Sequence, residues 1–125
     1  MATRLLAGHK GYRGRLRVKR QITAHDVFEA YEHDDKIATE VLGQAIDFWG
    51  MASANLISLF NPQMLIFGGG VFGPATRFLD DIAAEARRWA QPIAMERVKF
   101  SASQLGGDTA LYGAAYQALK KRVPR

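Results

Sequence analysis

The sequence predicts an α/β fold of two short parallel strands and four helices, and three observations carry that expectation. A continuous apolar run, Met64-Leu65-Ile66-Phe67, is followed at once by Gly68-Gly69-Gly70, the pattern of a strand that ends in a tight turn. A second strand-like alternation, Val98, Phe100 and Ala102, gives way in the same manner to Gly106-Gly107. Between the two lies a helical pattern opened by Pro74, and a strand, helix, strand order in one layer brings its strands parallel through a right-handed crossover.

A chain of 125 residues suits one domain, and 48% apolar with 23% charged residues excludes general disorder. There is no Cys, which removes disulfides, a thiolate nucleophile and a Cys-based zinc site and suits a reducing cytoplasm. Residues 1–7 have no long apolar core before Lys10 and read as neither signal peptide nor anchor. No stretch approaches the roughly 20 apolar residues of a membrane span, so no membrane partner is expected.

The net charge of +5 is unevenly placed. Arg4, Lys10, Arg13, Arg15, Arg17, Lys19 and Arg20 fall in the first 20 residues with no acid among them, whereas the rest carries 12 acids against 10 bases. The basic character therefore belongs to an arm, read as residues 1–21, rather than to the globule. Nucleic-acid contact would call for an aromatic platform or a reading helix beside the charge, and Tyr12 is the arm's single aromatic residue. A solvated segment is the expected role, with no nucleic-acid partner.

Taken in order, Gly8-His9-Lys10-Gly11-Tyr12-Arg13-Gly14 is too glycine-rich and too charged for a regular element and reads as a flexible linker. Leu16, Val18 and Ile22 alternate with Arg15, Arg17 and Lys19, which leaves room for one further N-terminal strand. Thr23 and Asp26 form a capping-box start to a helix over 24–32, with Val27, Phe28 and Tyr31 on its apolar face. A second helix is expected from Asp34 or Asp35, whose charges suit its positive end, to Phe60, where Asn61-Pro62 cannot continue it. Its first half is amphipathic through Ile37, Val41, Leu42 and Ala45, while Phe48 to Phe60 is apolar on nearly every side and should be buried all round.

The Met64 to Phe67 strand should be covered on both faces. The Pro74 helix should run to Ala90 with Phe78, Leu79, Ile82, Ala86 and Trp89 inward, and Pro92 follows its stop. Asp108 caps a last helix through Leu119, rich in the small residues Ala110, Gly113, Ala114 and Ala115.

Among motifs that carry chemistry, Gly68, Gly70 and Gly73 between a strand and a helix have the glycine spacing of a dinucleotide fingerprint. That reading wants an acidic ribose ligand about 20 residues further on. Arg88-Trp89 stands there instead, and a strand-to-helix turn that needs positive φ explains the glycines equally well. His25, Glu29 and His33 share a helical face, but residues eight apart on a helix are separated by about 12 Å and cannot share one ion. Asp47 lacks a matching second acid or His and reads as part of a polar stripe with Gln44 and Lys36. Ser53 and Asn55 read as interhelical hydrogen bonders, and Arg97 and Lys99 as solvent-facing.

Four blocks are more specific. Ile22-Thr23-Ala24-His25-Asp26-Val27-Phe28-Glu29-Ala30, Asn55-Leu56-Ile57-Ser58-Leu59-Phe60-Asn61-Pro62, Ile66-Phe67-Gly68-Gly69-Gly70-Val71 and Leu105-Gly106-Gly107-Asp108-Thr109-Ala110-Leu111-Tyr112-Gly113-Ala114-Ala115 resemble, in order and spacing, the ROK family of sugar kinases and repressors. The resemblance covers residues 22–120. It implies that residues 22–125 form a partial ribonuclease H-like lobe, the nucleotide-side C-terminal part of an actin-like kinase whose two lobes close over ATP and a sugar. It further implies that Gly68, Gly69, Gly70 and Val71 meet the adenosine of the nucleotide and that the Gly113-Ala114-Ala115 helix crosses between lobes. ATP with Mg²⁺ in the complete protein, an N-terminal sugar-binding lobe as companion and a homodimer follow from the same resemblance.

The family's Asp-x-Gly-x-Thr phosphate loop, its Asn-Asp-x-Asn segment with the catalytic Asp, and its Cys-rich zinc motif have no counterpart in these residues. No catalytic residue and no zinc site are therefore assigned, and phosphoryl transfer by this chain alone is not expected. Two parents stay open: a hexose kinase, or a sugar-responsive transcriptional repressor of which this is the effector and dimerisation domain. A short interaction module that pairs through its long helix is a third reading.

Overall fold

The computed structural model describes residues 1–9, 11–18 and 21–120, which divide into two compact units, Met1–Trp49 and Gly50–Arg125. Lys10, Lys19 and Arg20 of the basic arm lie outside the described residues.

In the first unit, helix α1 (Ala2–Gly8) precedes a 3-10 turn at Arg15–Val18, helix α2 (Ala24–Tyr31) and the first half of helix α3 (Lys36–Phe60). The capping box that starts α2 is complete: Asp26 N–H donates to the Thr23 hydroxyl at 3.3 Å, and Thr23 N–H donates to the Asp26 carboxylate at 2.9 Å. Val27, Phe28 and Ala30 are buried, as are Ile37, Ala38, Val41 and Leu42 on the amphipathic half of α3. Asp35 starts α3 as an N-cap, its Oδ1 accepting from Ile37 and Ala38 N–H at 3.0 and 3.1 Å, and Asp34 before it takes the left-handed conformation at φ 55°. The other oxygen of Asp35 accepts from the Tyr12 hydroxyl.

The alternation at 15–18 is not a strand. Arg17 N–H donates to the Gly14 carbonyl at 3.2 Å, and Leu16 N–H to the Tyr12 hydroxyl at 3.2 Å, so local partners take the amides a sheet would have used. Leu16 is 1% exposed between exposed Arg15 and Arg17, so its inward place was read correctly and the element was not. Among the described arm cations, Arg15 pairs with Glu29 at 3.3 Å, and the Arg17 guanidinium donates to the Tyr12 carbonyl at 2.6 Å. Helix α1 was not foreseen, although Ala, Arg and Leu all favour helix.

In the second unit, strands β1 (Met64–Phe67) and β2 (Lys99–Ala102) pair in parallel, with Met64 opposite Lys99 and Phe67 opposite Ala102. Among the described residues all four expected helices are present, and two short ones join them: α1 of the first unit and α5 (Pro92–Arg97). Pro92, read as following a stop, instead opens α5, where the Gln91 side chain caps Ala94 N–H at 2.7 Å. A 3-10 turn at Pro74–Phe78 leads into helix α4 (Leu79–Arg87), and helix α6 (Thr109–Lys120) closes the unit. The core is Ala54, Ile57, Ala86, Ala90, Ala94 and Met95, with Leu65, Ala83, Val98 and Phe100 packed on it. Helix α3 ends at Asn61, whose φ of 44° is the left-handed stop that Asn tolerates.

Three burial expectations are corrected. The second half of α3 is not buried all round, because Leu59 and Phe60 are 75% and 71% exposed while Ala54 and Ile57 form its inward side. Strand β1 is covered on one face, with Leu65 and Phe67 half-buried and Met64 and Ile66 exposed, since the helices of this unit cover one side of the two-stranded sheet. Trp89 is exposed rather than inward. Its indole N–H donates to Glu85 at 2.7 Å, and this bond, followed by that from Arg88, holds the Glu85 carboxyl below its ordinary range. Among the described residues, no helix is long and apolar enough to cross a membrane.

Candidate nucleotide crevice

Both strands end in a glycine turn at the same edge of the sheet. Strand β1 runs into Gly68-Gly69-Gly70 and a 3-10 turn at Gly70–Phe72, β2 runs through Ser103 into a 3-10 turn at Gly106–Asp108, and the two turns touch. The carboxyl ends of parallel strands are where open α/β sheets place ligands, since the chain must leave the sheet there and exposes backbone as it does so.

Each glycine of the first turn has its own surroundings. A Cβ at Gly68 would lie 3.0 Å from Ser103 Cβ and 3.0 Å from Thr109 Oγ1, so the second turn packs directly on the first. Gly69 has φ 93° and ψ 174°, a region open essentially to glycine alone. Gly70 would present a Cβ to open space, with no heavy atom within 4 Å. Val71, the fourth expected contact residue, is 43% exposed beside them. Behind the turn, the Phe67 ring lies 5.0 Å from that of Phe72 and stacks at 5.6 Å on that of Phe100, which gives the glycines a firm apolar backing.

The second turn was read as a change of direction with Asp108 as the cap of the last helix, and Ser103 and Thr109 were not weighed as site residues. Gly106 is left-handed at φ 59°. The Thr109 hydroxyl donates to the Gly106 carbonyl at 2.7 Å, and Ser103 and Thr109 hydroxyls lie 3.1 Å apart. A cue was available: a second Gly-Gly pair after a second strand mirrors the first.

The other residues weighed from sequence do not gather here. His33 donates from Nδ1 to the Glu29 carbonyl oxygen at 2.9 Å, while the Glu29 carboxylate meets Arg15. Asp47 is exposed on α3, and Gln44 bonds Glu40 at 3.5 Å. Asn55 is exposed and Ser53 buried, and near them the Ser58 hydroxyl accepts from Gln91 N–H at 3.1 Å. Arg97 and Lys99 are solvent-facing.

Comparison with known proteins gives this arrangement a setting. A glucokinase of Halalkalibacterium halodurans is 30% identical over 95 residues, which are 76% of this chain and 29% of that enzyme. A glucokinase of Thermotoga maritima is 26% identical over 124 residues, 95% of this chain and 39% of the enzyme. The chain thus spans well under half the length of either relative. Among solved structures, a protein of Cytophaga hutchinsonii described as a candidate sugar kinase shares the fold with a TM-score of 0.78 at 16% identity, over 94% of this chain and 39% of that one. A ROK family transcriptional regulator, a homologue of the E. coli MLC protein, does so with a TM-score of 0.68 at 24% identity, over 81% and 25%. The ROK family model matches residues 5–121, a span that takes in both strands and both glycine turns, and the chain belongs to the ROK family.

Proposed function

We propose that the Gly68–Val71 turn, with the Gly106–Asp108 turn facing it, is the adenosine side of an ATP site. The chain is then the nucleotide-side part, residues 22–125 with a basic arm at 1–21, of a sugar kinase whose complete form transfers the γ-phosphate of ATP to a hexose hydroxyl. One observation carries this reading: two glycine turns touch at the carboxyl ends of parallel strands, and at Gly70 the backbone faces open space where a nucleoside can approach it. The two glucokinase relatives support the hexose kinase as parent. Mg²⁺ enters as the companion of the ATP phosphates, and no catalytic residue is assigned to this chain. An N-terminal sugar-binding lobe completes the cleft, and the complete protein pairs as a homodimer.

The second reading, the effector domain of a sugar-responsive repressor, draws on the regulator that shares this fold. Calorimetric titration of ADP and ATP with Mg²⁺ separates the two. Saturable binding that Gly70→Val weakens by at least about tenfold, with an unchanged urea midpoint, supports the nucleotide site. No binding at millimolar nucleotide would abandon it in favour of the repressor domain.

A further inference from the structure

Ser103 and Thr109 close the second glycine turn with a chain of hydrogen bonds whose direction follows from counting protons. The Gly106 carbonyl can only accept, so the 2.7 Å bond from Thr109 Oγ1 spends the single proton of that hydroxyl. The 3.1 Å contact between the two hydroxyls therefore has Ser103 as donor and Thr109 as acceptor. Ser103 Oγ accepts in its turn from Leu105 N–H at 3.2 Å. The relay runs from the Leu105 amide through both hydroxyls to the Gly106 carbonyl, and each bond polarises the next.

The same two side chains also press on the first turn. The space beside Gly68 is closed by Ser103 Cβ at 3.0 Å and by Thr109 Oγ1 and Cγ2 at 3.0 and 3.2 Å, while Ser103 N–H extends the ladder to the Phe67 carbonyl at 2.7 Å. One pair of hydroxyl residues thus holds the second turn closed and seats it against the first.

We infer that Ser103 and Thr109 are positioning residues of the nucleotide site: their relay holds Gly106 left-handed and sets the Gly106-Gly107 backbone against Gly68-Gly69-Gly70, so the crevice is formed before a purine nucleoside arrives. This deepens the nucleotide reading and rests on it. Neither side chain needs to touch the ligand. Preformed backbone lowers the ordering cost of binding, so loosening the turn weakens affinity through that cost. Gly106 and its neighbours are exposed, so water can replace a lost hydroxyl partner and the fold survives.

The test is titration of ADP with Mg²⁺ into the wild-type chain, Thr109→Val, Thr109→Ser and Ser103→Ala, with a urea midpoint and amide exchange at Gly106 and Gly107 for each. Thr109→Val keeps the shape and removes the relay, and Thr109→Ser keeps the hydroxyl. The expected result is roughly five- to tenfold weaker ADP binding for Thr109→Val and Ser103→Ala, with faster exchange at both glycines and a nearly constant urea midpoint. Thr109→Ser should return affinity to within about twofold of wild type, because the relay needs only the hydroxyl. Equal affinity in the wild type and both relay-breaking variants would overturn the positioning role, as would an affinity loss that tracks the urea midpoint and is not rescued by Thr109→Ser. A wild-type chain that binds no ADP removes the nucleotide reading and this role together, so the two failures are told apart.

Discussion

Gly68, Gly69 and Gly70 stand side by side, yet a side chain meets crowding at Gly68, backbone strain at Gly69 and neither at Gly70. A methyl group at Gly68 meets Ser103 and Thr109 at 3.0 Å, so Gly68→Ala must push the second turn away and should cost about 1–3 kcal/mol in urea unfolding. At Gly69 the space is free but the backbone is not, with φ at 93°, and Gly69→Ala should cost about 1–3 kcal/mol through strain alone. Gly70→Ala meets nothing within 4 Å and should leave the midpoint within about 0.5 kcal/mol of wild type. That ordering is why Gly70 is the position at which to block the crevice. A separate residue-scale expectation concerns Tyr12, whose hydroxyl burial and then the bond to Asp35 push up to about 12 from 10.0. The folded chain therefore holds the phenolic proton more tightly than the unfolded one. Its contribution is complete below pH 10 and is lost as pH rises from there through about 12. Urea midpoints across this window should fall more steeply for the wild type than for Tyr12→Phe, and parallel slopes would show that Tyr12 is not the group responsible.

Helix contacts show which features a sequence carries openly and which it hides. The Thr23 capping box was legible because cap and partner lie three residues apart, and Thr23→Ala should cost about 1 kcal/mol by thermal or urea unfolding. The two strands, their parallel pairing and four helices were legible for the same reason: periodicity and Gly or Pro punctuation are local. The environment of Gly50 was not. A Cβ there would stand 2.6 Å from both Cβ and Cγ of Glu85 and 3.1 Å from Ala86 N, so α3 and α4 approach as closely as glycine allows. Gly50→Ala should part the helices at a cost of about 1–3 kcal/mol despite its better helix propensity, whereas Gly43→Ala, with nothing within 4 Å, should stabilise by up to about 1 kcal/mol. Of the candidate site, the first turn could be read directly. Ser103 and Thr109 could not, because their value lies in contact with Gly68, distant along the chain. Arg15 to Val18 misled for the converse reason: Leu16 does point inward, but the Tyr12 hydroxyl supplied its amide with a local partner that no periodicity reveals.

At the scale of the whole molecule, the apolar surface left open in the second unit is extensive for the amount of core it encloses. Leu56, Leu59, Phe60, Met64 and Ile66 are exposed, and so are Leu111, Tyr112, Tyr116 and Leu119 on α6, a helix with no buried residue at all. An α-helix of 12 residues gains little from its own hydrogen bonds in water and takes most of its stability from packing. Among the described residues helix α6 therefore has little packing to draw on, and the chain spans 29% and 39% of the length of its glucokinase relatives. The proposed homodimer and the proposed companion lobe offer two coverings for these faces. Sedimentation velocity over a range of concentrations distinguishes them. If copies pair through the α3 face, the chain should associate with rising concentration, Leu59→Glu should shift it toward monomer, and Tyr116→Glu on α6 should leave the association unchanged. If the chain stays monomeric at every concentration, the homodimer does not form through these faces, and both would then be assigned to the companion lobe. Addition of that lobe as a separate polypeptide should in that case protect the α6 amides from exchange, and Tyr116→Glu should abolish the protection.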